Sequence, residues 1–130
     1  MGPSMIAYVT MGTNDLARAA SFYDQLFALL HARRVWEMER SIGWSTSPDS
    51  PAVAVIKPYD GRPASVGNGN MIALAATSKV QVDAVHLKAL ELGAIDEGAA
   101  GQRGDRFYAG YFRDLDGNKL SVFFEADSRE

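Results

Sequence analysis

Few side chains in this sequence are equipped for chemistry, and they are scattered. There is no cysteine, which removes disulfides, thiolate metal ligands and thiol nucleophiles together. The two histidines, His31 and His86, both fall on segments with helical spacing. A histidine at a helix C-terminus is explained by the helix dipole, and His86 lies among polar neighbours such as Lys88 and Glu91, so neither is assigned a catalytic role. Asp114-Leu115-Asp116-Gly117-Asn118 alternates oxygen donors as a calcium loop does, but it lacks that loop's spacing and terminal glutamate and reads as a tight turn. Gly67-Asn68-Gly69 lacks the third glycine and the βαβ setting of a dinucleotide fingerprint. Lys57, Asp60 and Arg62 form an exposed charged group that a solvated loop explains equally well. What remains is aromatic. Trp36, Trp44, Tyr108 and Tyr111 can stack on an organic ligand and offer it a hydrogen bond.

The elements that must position these groups occur twice. Met5–Thr13 reads as a strand, and Asn14-Asp15 supplies side-chain oxygens for a helix start. Leu16, Ala19, Ala20, Tyr23, Phe27 and Leu30 then repeat at helical spacing and form one apolar stripe, ending near His31-Ala32. Short strands are predicted over 34–40, 42–45 and 52–57, with a turn cluster at 47–51. The second copy opens with a strand at 70–76. Ser78 and Gln81 make a capping box, and Val82, Val85, Ala89 and Leu92 line one helix face that stops at Gly93. Short strands follow at 94–97, 106–112 and 119–125. The count is two βαβββ modules, 5–60 and 70–125, joined by a Gly-rich linker over 61–69, in one domain spanning 1–130.

Composition limits the partners. A chain of 130 residues builds one compact core. Its formal charge of −3 argues against nucleic acid, which requires a basic surface. No apolar run approaches the roughly 20 residues that span a bilayer. Met1–Ser4 carries no signal-peptide pattern and reads as an extension ahead of a natural start at Met5. The expected setting is cytoplasmic.

Two motifs carry a resemblance. The opening Tyr8-Val9-Thr10-Met11-Gly12-Thr13-Asn14-Asp15-Leu16-Ala17-Arg18-Ala19, with Phe22-Tyr23, resembles the vicinal oxygen chelate superfamily of glyoxalase I, extradiol dioxygenases, fosfomycin-modifying enzymes and bleomycin resistance proteins. Tyr111-Phe112-Arg113-Asp114-Leu115-Asp116-Gly117-Asn118-Lys119-Leu120 is similar to the turn before that family's final strand. The linker 67–71 looks like that of a glyoxalase-like bacterial subgroup. The resemblance implies an α+β fold whose two modules form a U-shaped mixed sheet around a cavity, paired within one chain or across a homodimer.

It also implies where a divalent metal would be held. Tyr8, Met71 and Ser121 stand at three of the ligand positions, and 52–59 contains no His, Asp or Glu for the fourth. Phenol, thioether and hydroxyl are poor ligands for such an ion, so no metal and no cofactor is expected. Glu125 shares a face with Ser121 but lies four residues on, about 13 Å along the strand, too far to replace it. Alternation puts Tyr8, Thr10, Met71, Ala73, Ala75, Ser121 and Phe123 on the cavity side. Tyr108 and Tyr111 have opposite parity, so only one shares that side: Tyr108 stands in the candidate set, with Tyr111 as its alternative.

The expected ligand-binding set is therefore Tyr8, Thr10, Trp36, Trp44, Met71, Tyr108, Ser121 and Phe123, around a small organic, flat ligand. No catalytic residue is assigned. The preferred reading is a metal-free binding protein with bleomycin-resistance-like sequestration as one role. The alternative is a metal-dependent lyase of the glyoxalase I type or a dioxygenase, which would draw ligands from His31 or Glu37. A dimer with a filled interior is the third reading.

Overall fold

The computed structural model describes residues 4–126, so Met1–Pro3 of the expected N-terminal extension lie outside the described residues. The order of elements is β1 (Tyr8–Gly12), α1 (Leu16–Ala28), β2 (Arg33–Glu37), β3 (Ser41–Ser45), β4 (Ala52–Ile56), β5 (Ile72–Ala75), α2 (Lys79–Glu91), β6 (Ile95–Gln102), β7 (Phe107–Arg113) and β8 (Lys119–Glu125). The chain divides between Val66 and Gly67 into two compact units, each a βαβββ module. The first unit holds a mixed sheet in the order β1-β4-β3-β2, and the second repeats it as β5-β8-β7-β6. In each, the first and last strands run parallel and the other pairs are antiparallel. The α+β expectation with two modules holds.

Each helix covers its own sheet. On α1, Ala19, Ala20, Phe22, Tyr23, Leu26 and Phe27 are buried. Leu26 and Phe22 make this stripe wider than the predicted one, as a helix facing three strands requires. Tyr23 and Phe27 pack on Trp44 of β3, and the Tyr23 hydroxyl donates to Met11 Sδ on β1. On α2, Val82, Val85 and Ala89 are fully buried, together with Phe112, Leu120 and Val122 from the sheet. His86, expected among polar neighbours, is buried at 6% exposure. Gly110 makes the room: a Cβ there would come within 2.9 Å of the imidazole. The ring nitrogen Nε2 lies 3.2 Å from both Asp96 Oδ1 and the Tyr111 carbonyl, so this histidine is structural.

The helix ends follow the sequence signals. Asp15 accepts from the Arg18 N–H and Ser78 from the Gln81 N–H, while Gln81 reaches back to the Thr77 N–H. Both C-termini close in the same way. The N–H of Ala32 donates to Phe27 and that of His31 to Ala28; the N–H of Ala94 donates to Ala89 and that of Gly93 to Leu90. This is the paired closure of a Schellman motif, whose penultimate donor residue takes a left-handed backbone. Gly93 fills that position with φ +107°, whereas the first unit uses His31 at φ +62°. The histidine near the helix end is thus a residue held where glycine is favoured.

Four strands differ most from expectation. β1 is Tyr8–Gly12, so Met5–Ala7 precede it. β5 begins at Ile72, leaving Asn70 and Met71 ahead of it. β2 ends at Glu37, and a bulge lies between Arg34 and Trp36. β6 is eight residues long rather than four, because pairing with β7 carries Gly98-Ala99-Ala100-Gly101 into the sheet despite their weak strand preference. That pairing shifts register between Asp96 and Gly98 and again between Gly98 and Gly101. Among the described residues no helix is long and apolar enough to cross a membrane.

The left-handed closures predict opposite responses in the two units. Gly93→Ala should destabilise the protein by about 1–2 kcal/mol, since its added Cβ meets both backbone strain and Leu115. His31→Gly should stabilise it by roughly 0.5–1 kcal/mol. Urea unfolding of the two variants checks the signs.

Candidate functional site

Register and parity give each sheet a face turned away from its helix. In the first unit Thr10, Ala54, Gly43 and Trp36 form one row across β1, β4, β3 and β2. Three of these residues are small, and the Trp36 indole lies over Gly43. A Cβ at Gly43 would sit 2.6 Å from that ring. Trp36 Nε1 donates to Ser41 Oγ at 3.0 Å, which fixes the indole in its plane. Tyr8, on the far strand of the sheet, meets the Trp36 ring edge-on with centroids 5.4 Å apart. Such a pair adds roughly 0.5–1.5 kcal/mol beyond its area.

A cavity of about 260 Å³ is bounded by Tyr8, Thr10, Trp36, Met38, Ser41 and Ile56. Its lining is mostly apolar, with the Tyr8, Thr10 and Ser41 hydroxyls as polar points. Tyr8 is the one titratable side chain in this lining. The arrangement can stack a flat ring and hydrogen-bond its substituents. Met38, Ser41 and Ile56 of this lining lie outside the expected set, although Met38 shares its parity with Trp36 in the strand expected over 34–40, a signal that could have found it.

Trp44 does not join Trp36. It is 2% exposed, packs on α1, and its Nε1 donates to Asp24 Oδ1 at 2.9 Å. Adjacent strands have matched faces, so Trp36 over Gly43 puts Trp44, one residue on, against the helix. The same Asp24 carboxylate accepts both the Nε and Nη2 of Arg34, at 2.9 and 2.7 Å. The hydrogen bond from Arg34 holds the Asp24 carboxyl below its ordinary value; the Trp44 donor and the arginine's charge add to this, against desolvation. Trp44 is therefore a core residue that ties β3 to α1, and it leaves the ligand-binding set.

In the second unit the corresponding row is Ala73, Ser121, Tyr111 and Gly98. Phe123 stacks on Phe107 at 5.3 Å on the same side. Tyr108 lies on the other side, where its hydroxyl donates to Asp83 of α2 at 2.6 Å; that bond raises its pKa. Of the two tyrosines it is Tyr111 that shares a face with Ser121, flanked by Arg103 and Lys119 at 5.7 Å each from its ring. Ser121 is 2% exposed and Met71 44%. The Asp114 loop is a turn held by its own carboxylate, which accepts the N–H groups of Asp116 and Asn118.

The paired registers also settle the fourth position that a metal of this fold would need. Ala54 stands opposite Thr10 as Ser121 stands opposite Ala73. In the first unit these positions hold a phenol and a methyl group, from Tyr8 and Ala54, and in the second a thioether and a hydroxyl, from Met71 and Ser121. Neither pair offers the imidazole or carboxylate that a divalent ion takes. Among the described residues no group of three or more His, Asp or Glu side chains gathers elsewhere.

Comparison with known proteins bears on the same fold. The family profile of the Glyoxalase/Bleomycin resistance protein/Dioxygenase superfamily matches residues 5–122. The chain belongs to this superfamily. A glyoxalase/bleomycin resistance protein from Albidiferax ferrireducens T118 is similar to it at 31% identity and a TM-score of 0.86, over 95% of this chain and 100% of that one. A glyoxalase/bleomycin resistance protein/dioxygenase family enzyme from Burkholderia phytofirmans PsJN shares the fold at 16% identity and a TM-score of 0.74, covering 92% and 98%. Lactoylglutathione lyase from Agrobacterium tumefaciens does so at 21% identity and a TM-score of 0.70, covering 95% and 96%. Among proteins with curated descriptions, none matches the sequence. Superfamily membership thus accounts for the βαβββ repeat.

Two outcomes follow from this geometry. Gly43→Ala should expel the indole, shift the Trp36 side-chain ¹⁵N–¹H resonance and lower stability by about 1–3 kcal/mol. Asp24→Asn should cost about 1 kcal/mol at neutral pH. Because the folded-state pKa of Asp24 is depressed, its contribution is complete above the unfolded value of about 4. It is lost as pH falls through the folded value, so urea midpoints of wild type and variant should converge in acid.

Proposed function

We propose that this superfamily member is a metal-independent binding protein for a small, flat organic molecule, held by the Tyr8–Trp36 pair over the Gly43 floor. The observation that carries the reading is the indole itself. It is half-buried, locked by Ser41, and set beside a cavity with apolar walls and three hydroxyls. Pre-organised aromatic surfaces bind with little loss of side-chain entropy. The cavity lies just below the range of about 300–1,000 Å³ for drug-sized ligands, which suits one ring system. Of the three hydroxyls, that of Thr10 is read as a ligand contact beside Tyr8. In the second unit Ser121, Phe123 and Met71 are read as further ligand contacts on that unit's own open face, beside the Phe107–Phe123 stack. Sequestration of a drug, as the bleomycin resistance proteins of this superfamily perform, is the role that needs nothing beyond such surfaces. We read the protein as a cytoplasmic homodimer, on its acidic, cysteine-free composition and the superfamily's pairing of modules within or across chains.

The test uses the two indole resonances as separate reporters. Titration with bleomycin and with planar aromatic acids should move the Trp36 signal and leave the Trp44 signal in place. Trp36→Ala should weaken the binding at least tenfold and Tyr8→Ala several-fold. Calorimetric titration with nickel and zinc should show no tight one-to-one binding. Tight metal binding, or a ligand that moves Trp44 alone, would overturn the proposal.

A further inference from the structure

A second cavity in the first unit differs in chemistry. It has a volume of about 280 Å³, and Arg40, Lys57 and Arg62 line it together with Thr13, Asn14 and Gly61. Three cationic side chains converge there in a chain whose formal charge is −3, so overall basicity does not explain the cluster. Among the described residues no carboxylate lies within ion-pair distance of any of the three. The nearest acidic residue of the loop, Asp60, is turned to the backbone N–H of Arg62 at 2.9 Å.

The walls are built from segments that brace one another. The Arg40 Nη2 donates to the carbonyls of Lys57 and Pro58, and the Lys57 N–H donates to the Arg40 carbonyl at 2.9 Å. This continues the β3–β4 ladder one step past Ser41 and Ile56. Asn14 Oδ1 accepts the Ala64 N–H at 2.6 Å, which fastens the loop to the head of α1. The loop closes on itself through the Gly61 N–H to Pro58, with Gly61 at φ +76°. Convergent like charges repel, and a bound anion is what relieves that repulsion.

We propose that this cavity is an oxyanion site, which takes the carboxylate or phosphate group of a small ligand between Arg40, Lys57 and Arg62. The guanidinium of Arg40, held by two carbonyls through one nitrogen, presents its remaining donors as a fixed fork, and Lys57 and Arg62 close on the anion as point charges. The site is separate from the aromatic pocket, and its occupation does not depend on a ligand at Trp36.

The experiment is a ¹⁵N–¹H titration of the full chain with sodium phosphate and, in a second arm, sodium acetate, each against sodium chloride at matched ionic strength. Saturable shifts are expected at the amides of Asn14, Gly61 and Arg62, with the Trp36 indole unmoved. Saturation by phosphate alone assigns a phosphate group, and saturation by acetate assigns a carboxylate. Lys57→Gln and Arg62→Gln should each weaken binding about threefold, and together about tenfold. All three cations are exposed, and Arg62→Gln alters only a loop side chain, so the fold is retained. Drift that never saturates, or saturation that the double variant leaves unchanged, would overturn the site.

Discussion

Everything described for either unit depends on the parallel pairing of its first strand with its last. A parallel pair cannot be closed by a tight turn; it needs a long crossover, and here the helix and two strands supply it. The pairing aligns Tyr8 with Ala52 and Ile72 with Leu120. Once that register is set, every side chain is assigned to the helix or to the open face. A slip by one residue would exchange Met11 with Thr10 and Leu74 with Ala73, placing polar or minimal side chains against the helix. The large apolar burial under α1 and α2 therefore fixes the open faces as well, although those residues contribute little to the core.

The sequence made the architecture legible because helix and strand periods differ and both modules carry them clearly. The caps at Asp15 and Ser78 and the final strand stand where their residue types put them. Less legible was whatever depends on contact between strands. Trp36 and Trp44 look equivalent as residues in neighbouring strands, and only the bulge and the β2–β3 register send one to the open face and the other to the core. Tyr108 and Tyr111 could be separated by parity but not assigned, since parity has no sign until a helix is docked. His86 was misjudged because its burial is made by the missing side chain of Gly110, a residue 24 positions away.

The two units also show how a duplicated frame can diverge without losing its shape. Each row across the open face pairs one aromatic ring with one glycine. In the first unit the ring is on the outer strand, as Trp36, and the glycine on its neighbour. In the second the order is reversed, with Tyr111 inside and Gly98 outside. A Cβ at Gly98 would come within 3.1 Å of the Tyr111 ring, so the steric relation is kept while the positions exchange. What is conserved between the halves is a volume relation, not a residue, and for that reason the functional positions do not align as letters.

The irregular strands β2 and β6 have a consequence for association. Each is an outer strand of its sheet, and each breaks register, once in β2 and twice in β6. An edge template for aggregation requires an unbroken run of amide donors and carbonyl acceptors at even spacing. Here a foreign strand approaching either edge finds the run interrupted within a few residues, and the local twist turns the remainder out of plane. The bulges thus act as guards at two of the sheet margins, where no further chain is needed to break up the edge.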